Sequence, residues 1–385
     1  MKYLLVTILF ATLTTKALSQ YDTAQVAKLV KKVYSMQVVE DNFYDSGLFP
    51  TQRIWKGRVM EDNTFFYTAS MIYILKQLQP KLSEESASKA ELITSRALAN
   101  VSKYANRKGE ASFNFWQTDP DIPHPNGKAK YQKAKHGLPD DLDDSSIIAS
   151  VLQNDSISAQ VRDKMSAYAE SHNHEHFRNV PKGYENTQAY RTWFADKWKQ
   201  DVDFVVLCNI LLFVFENDFE LNKYDRASID FIKEVVTRRD HLTRSKELSP
   251  YYGCSAVMLY HLARTISEDR LGVMQSVKSQ TIADLNSLLA TTQNQYERMM
   301  IYTSLYRLGA NPTINISEKE IAGSNDDFYF FYATAANLSL PQYKLWIIKT
   351  LHLVPNMYWK SEAFNHMILL EFLVSTGYSL KTDFL

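Results

Sequence analysis

The chain is expected to be all-α, folded as a single α/α toroid of about six helical hairpins in two concentric rings. Three observations predict it. Apolar residues recur at helical spacing in segment after segment. Glycine and proline number only 11 each in 385 residues, too few for the many turns of a sandwich or barrel of short strands. The links between segments are short, and no low-complexity run, composition shift or fixed repeat period divides the chain or points to a solenoid. About a dozen antiparallel helices in one domain close best as two rings, with a superhelical array as the alternative.

The elements follow in chain order. Lys2, the apolar run from Leu4 to Ala11 and the small residues around Ala17-Leu18-Ser19 read as a secretory signal cut before Gln20. Residues 20–385 are then the toroid domain, 385 − 19 = 366 residues long. The run is too short to span a bilayer, so the mature chain is expected to be exported, to a periplasm or to the exterior. Peripheral contact with a membrane surface stays open. Thr23 to Met36 places Val26, Leu29, Val30, Val33 and Tyr34 on one helical stripe. The same period predicts helices over Thr64 to Leu78, Ser83 to Tyr104, Ser158 to Tyr168, Asp203 to Phe215 and Ser228 to Thr237. Further helices are expected over Tyr252 to Thr265, Gln293 to Leu308, Asp327 to Leu338, Pro341 to Leu353 and Glu362 to Ser375. Turn signals at Ser249-Pro250, Gly309-Ala310-Asn311-Pro312 and Gly377 separate several of them. Ala111 to Gly137 breaks the pattern. It is aromatic, then rich in Pro, Asn and Gly, and reads as a long loop able to wall a site.

Charge narrows the partners. Basic and acidic residues number 43 each, and removing Lys2 and Lys16 with the leader leaves 41 − 43 = −2. With no basic run, nucleic acid is not an expected partner. Cys208 and Cys254 are the only cysteines, and a bridge between them depends on geometry.

The most informative stretch is Leu138-Pro139-Asp140-Asp141-Leu142-Asp143-Asp144-Ser145-Ser146, running into an apolar segment. One or two acids suit a helix start; four are an excess that points to function. A helix from Pro139 would put Asp140, Asp141 and Asp144 on one face and turn Asp143 away. That face suits hard cations, magnesium or calcium. Crowded carboxyls also cannot all ionise, so one keeps its proton and becomes a Brønsted acid. A solvated acidic helix start is the plain alternative.

Asp141-Leu142-Asp143-Asp144 followed by Ser145-Ser146 resembles the DxDD[ST] signature of class II terpenoid cyclases, within the terpenoid cyclase and protein prenyltransferase α/α-toroid superfamily. The resemblance implies that Asp143 protonates an alkene or epoxide of an isoprenoid, with Asp141 and Asp144 polarising it and aromatic side chains stabilising the cations. The chain departs from that pattern in lacking repeated Gln-Trp motifs and in being about one domain long. Asp140, Asp141 and Asp144 also spell the DDxxD of class I enzymes, yet the partner motif from Asn154 meets Arg162 where Glu is needed.

Carbocations need electron-rich walls that do not trap them. Trp116, Tyr251, Tyr252 and Trp359 are candidate substrate-binding aromatics, and Phe328 to Tyr332 is a run of five. His136, four residues before Asp140, is a candidate partner of the cluster. Arg191 is a candidate clamp for a diphosphate or a sugar acid. His172, His174 and His176 resemble a transition-metal site but suit a polar loop better. No glycine-rich phosphate loop, GxSxG elbow or CxxC pair is present. The leading expectation is an acid-initiated cyclase of a hydrophobic isoprenoid or other small molecule. The alternatives are an exported carbohydrate-active toroid, hydrolase or lyase, and a non-catalytic binding protein of the same fold.

Overall fold

The computed structural model describes residues 21–126, 137–171, 180–195, 201–323, 328–334 and 356–382. The expected leader, the Pro341 to Leu353 helix, His136 and the histidines at 172, 174 and 176 lie outside them. The protein is mostly helical with one small antiparallel sheet. In order come α1 (Thr23–Met36), β1 (Thr51–Trp55), β2 (Arg58–Asp62), α2 (Phe66–Leu78), α3 (Glu84–Leu98), α4 (Leu142–Leu152), α5 (Asp155–Ser171) and α6 (Phe204–Glu216). Then follow α7 (Lys223–Arg238), the short α8 (Asp240–Thr243) and α9 (Ser245–Leu248), α10 (Ser255–Glu268), α11 (Gln275–Thr291) and α12 (Gln295–Arg307). The chain closes with α13 (Glu318–Gly323), β3 (Phe331–Thr334), β4 (Asn356–Lys360) and α14 (Glu362–Thr376).

Two kinds of helix divide the labour. α2, α4, α6, α10, α12 and α14 are buried on most of their sides; α6 buries every residue from Phe204 to Phe215. Such helices need neighbours on all sides. Each packs on the next, and α14 packs back on α2, so the six contacts form a closed cycle. The amphipathic helices cover them. α1 turns Val26, Leu29, Val30 and Val33 inward against α14 and α3, while α3 lies on α2, α5 on α4, α7 on α6, and α11 on α10 and α12. Cys208 and Cys254 are both free thiols.

The sheet, in the order β2-β1-β4-β3, was not anticipated. β1 and β2 are joined by Lys56-Gly57, both at positive φ (51° and 72°), the left-handed pair that a two-residue hairpin requires. β4 pairs with β1 on one side and β3 on the other. The predicted helix over Asp327 to Leu338 is therefore wrong where it is described: Phe331–Thr334 is a strand. Bulky aromatics favour the pleated, half-buried surface that pairing with β4 supplies. Arg53, Trp359 and Phe331 stand opposite one another across the three strands, giving the sheet one aromatic face.

Arg53 and Asp62 anchor that sheet. Both are wholly buried and pair at 2.7 Å, and Asp62 also accepts from the Trp116 indole at 2.9 Å. Removing one partner of a buried pair strands the other. Arg53→Met is expected to cost about 3–5 kcal/mol, and Arg53→Met combined with Asp62→Leu substantially less, as read from urea unfolding midpoints.

Candidate active site

Four of the apolar helices start at one place. Phe66 opens α2, Asp143 and Asp144 sit in the first turn of α4, Val206 in that of α6, and Tyr251-Tyr252 precede α10. Their far ends, at Gln77, Gln153, Asn217 and Arg270, share a second, polar recess, so the four run parallel. At the amino-terminal end they surround a cavity with about 800 Å³ of empty space, open solvent at its mouth included. Leu138, Asp141, Asp143, Asp144, Thr192, Trp193, Phe115 and Trp116 form one part of its wall, and Phe331, Tyr332, Ala333, Met357 and Trp359 bring the sheet across it. Nine of its seventeen lining residues are aromatic. Phe331 and Trp359 stack with centroids 5.4 Å apart, and Phe115 meets both edge-on.

α4 begins at Leu142, not at Pro139, and that shift reassigns the four acids. Asp140 precedes the helix and turns aside. Its Oδ2 accepts from Asn106 Nδ2 at 2.5 Å and Ser112 Oγ at 2.6 Å, and its Oδ1 from Asn114 Nδ2 at 3.1 Å. It does not share a face with Asp141 and Asp144, so the expected three-carboxylate cation site is not assembled. Among the described residues no group of three His, Cys, Asp or Glu is placed to hold a metal. Asp141 is the N-cap, its Oδ1 accepting from the Asp144 backbone at 2.7 Å, and bridges to Phe113 and Trp193 fix it on both sides. Asp143, expected to point away, lines the cavity instead.

Asp143 is held between two donors. Asn209 Nδ2, from α6, reaches Oδ1 at 2.6 Å and the Tyr252 hydroxyl reaches Oδ2 at 2.5 Å. Burial pushes the Asp143 carboxyl up to about 6, while these donors and the Arg264 charge hold it back. Asp141 is also raised, by burial first and then by the Asp143 charge, and Asp144 by burial first and then by the Asp141 charge. Beside them Tyr251 donates to Asp201 Oδ2 at 2.7 Å and accepts from the Trp193 indole at 3.1 Å. Asp203 caps α6 through Val205 and Val206 and accepts from Ser249 Oγ at 2.6 Å. Burial raises Asp201 to about 6 and Asp203 to about 7.

Of the residues predicted from sequence, the structure brings Asp141, Asp143, Asp144, Trp116, Tyr251, Tyr252 and Trp359 to one cavity. Arg191 is buried beside Thr192 but does not line the wall. Asn209, His261 and Arg264 behind Asp143 were missed. Their signal is a lone amide within Phe204-Val205-Val206-Leu207-Cys208-Asn209-Ile210-Leu211-Leu212, and a His and an Arg one turn apart on apolar α10. A scan of protein-family models, a search of curated proteins and a search of solved structures each find no match to this chain.

The raised carboxyls fix a pH dependence. Asp143, Asp201 and Asp203 bind protons more tightly folded than unfolded, where a carboxyl titrates near about 4. Their contribution to stability is therefore complete below that value and lost as pH rises through about 6 to about 7. Urea midpoints are expected to fall between about pH 5 and about pH 8, and Asp143→Asn is expected to flatten that fall.

Proposed function

We propose that the cavity is the site of a class II terpenoid cyclase-like reaction, in which Asp143 protonates an alkene or epoxide of an uncharged isoprenoid. The carrying observation is a single carboxyl, raised by burial and held by two donors, set in a wall of aromatic rings. The closed cycle of six apolar helices under a layer of amphipathic ones supports an α/α toroid as the frame, and the DxDD resemblance points the same way. Export, expected from the leader-like residues at the start of the chain, belongs to the same reading.

The chemistry runs in one sequence. The proton leaves Asp143 as the substrate's π pair forms the new C–H bond, or an epoxide oxygen takes the proton and the C–O bond opens. The resulting tertiary cation faces rings whose negative π clouds attract it without adding to it. A neighbouring double bond supplies its electron pair to close a ring, and the final cation gives up a proton to water at the cavity mouth to form a neutral product, from which solvent Asp143 later regains its proton. Until then Asp143 remains as a carboxylate, stabilised by Asn209 and Tyr252, donors already in place before the proton leaves.

The lining supports an uncharged headgroup. It includes three carboxyls and, among the described residues, no lysine, arginine or histidine. Against the described lining a diphosphate would meet only like charge, so the substrate is taken to be a neutral polyene, polyene alcohol or epoxide.

Trp116, Trp193 and Trp359 make binding visible by fluorescence quenching. Geranylgeraniol or squalene is expected to quench the purified protein and geranylgeranyl diphosphate not to, in wild type and Asp143→Asn alike. Turnover of the neutral probes is expected to fall by about 10²–10⁴ in Asp143→Asn. Because the acid form is required, the wild-type rate should drop about tenfold per pH unit above about 6. Unchanged turnover in Asp143→Asn, or preference for the diphosphate, sinks the proposal.

A further inference from the structure

The axis of the helix cycle holds a charge that the proposed reaction does not yet use. Arg264, on α10, is 4% exposed. Its guanidinium lies over the rings of Tyr73 and Tyr260, at 4.9 and 5.1 Å from their centroids. Nη2 lies 3.2 Å from Asn209 Oδ1 and 2.8 Å from His261 Nδ1, and its Nε is buried without a hydrogen-bond partner. The neighbouring Arg307 is neutralised by Glu371 at 2.5 Å. Arg264 has no such pair: among the described residues no carboxylate lies within ion-pair distance of it. A buried cation without an anion is costly, and the carboxyl on the other side of Asn209 is Asp143.

Asn209 makes the connection directional. A guanidinium has donors and no acceptor. The amide therefore turns its oxygen to Arg264 and to His261 Nδ1, which lies 2.8 Å from it, and its NH₂ to Asp143, where Nδ2 sits 2.6 Å from Oδ1. His261 does not compete as a cation, because burial and the charges of Arg264 and Arg307 push its pKa well below the ordinary value. The arrangement favours the carboxylate that is left when the proton departs.

We propose that Arg264 is a positioning residue that, through Asn209, serves as the counter-charge of Asp143 and makes it a stronger acid than its apolar wall alone would allow. The role deepens the acid reading of Asp143 but is tested without substrate. Other groups bear on the same carboxyl. Asp141 and Asp144 share its helix, and Asp203 stands on α6. Tyr252 and His261 lie on the α10 side. Beyond Arg264, Tyr73 donates to Glu216 at 2.6 Å and Tyr260 to Glu371 at 2.6 Å. Variants are therefore compared with Asp143→Asn so that only the Asp143 titration is read.

The experiment is an infrared titration of the ¹³C-aspartate-labelled protein, taking as Asp143 the carboxylic-acid band that Asp143→Asn removes. Arg264→Gln, which retains polar contacts and loses the charge, is expected to raise the Asp143 midpoint by about one pH unit or more, a tenfold weaker acid. Arg264→Lys, which keeps the charge, is expected to return most of the way to wild type. An unmoved midpoint in folded Arg264→Gln overturns the proposal. Should that variant fail to fold, Arg264→Met takes its place, since loss of the charge must raise the midpoint there too; no change overturns the proposal equally. Absence of turnover with any isoprenoid would count against the cyclase reading and leave this titration standing.

Discussion

Three carboxyl groups buried side by side in an apolar wall are the constraint to which the rest of this site answers. Left alone, Asp141, Asp143 and Asp144 would repel one another and resist desolvation. Each is relieved differently. Asp141 is spent on capping α4, Asp144 is pushed toward its neutral form by burial and by the Asp141 charge, and Asp143 faces an amide and a phenol that donate to it. Parallel helices add their positive amino-terminal ends at the same spot. The result is three chemically similar side chains with different tasks, set by what each one touches.

The cavity wall is built from two sources with different physics. Helix ends bring polar groups, because a helix start needs caps and exposes free N–H groups. The sheet brings rings, because strand alternation places every second residue on one face. Trp359 and Met357 on β4, and Phe331 and Ala333 on β3, follow that alternation into the cavity, and Tyr332 reaches it from the other face of β3. A helix across the same position would have spread its aromatics around a cylinder and presented fewer to the cavity.

Much of this was legible in the residues. α1 spans the predicted Thr23 to Met36, and the helices around Phe204, Ser255, Gln295 and Glu362 lie within a few residues of their expected bounds, because their apolar period is strong. The acidic segment and Tyr251, Tyr252, Trp116 and Trp359 were also singled out. What failed has definite causes. The hairpin at Lys56-Gly57 is a weak signal without the usual Asn-Gly, and β3 is a strand only because β4 arrives to pair with it. The helix start at Leu142 turns on backbone bridges from Phe113 and Trp193 to Asp141, contacts from distant parts of the chain. That three-residue difference decided which acid faces the cavity. Asn209 and Arg264 belong to different helices, and nothing in either segment alone announces that they meet.

The pairing of β1 with β4 joins Gln52 to Lys360, nearly the whole described chain apart. Contacts of such separation form late, after the entropy of closing a very long loop has been met. During synthesis Asp143 and its capping partners emerge well before Trp359 does. Until the last strand docks, the cavity lacks Met357 and Trp359, which close one side of it. Completion of the chain thus closes the cavity and the helix cycle together, since a molecule cut short before β4 lacks both Trp359 and the helix α14 that packs back on α2.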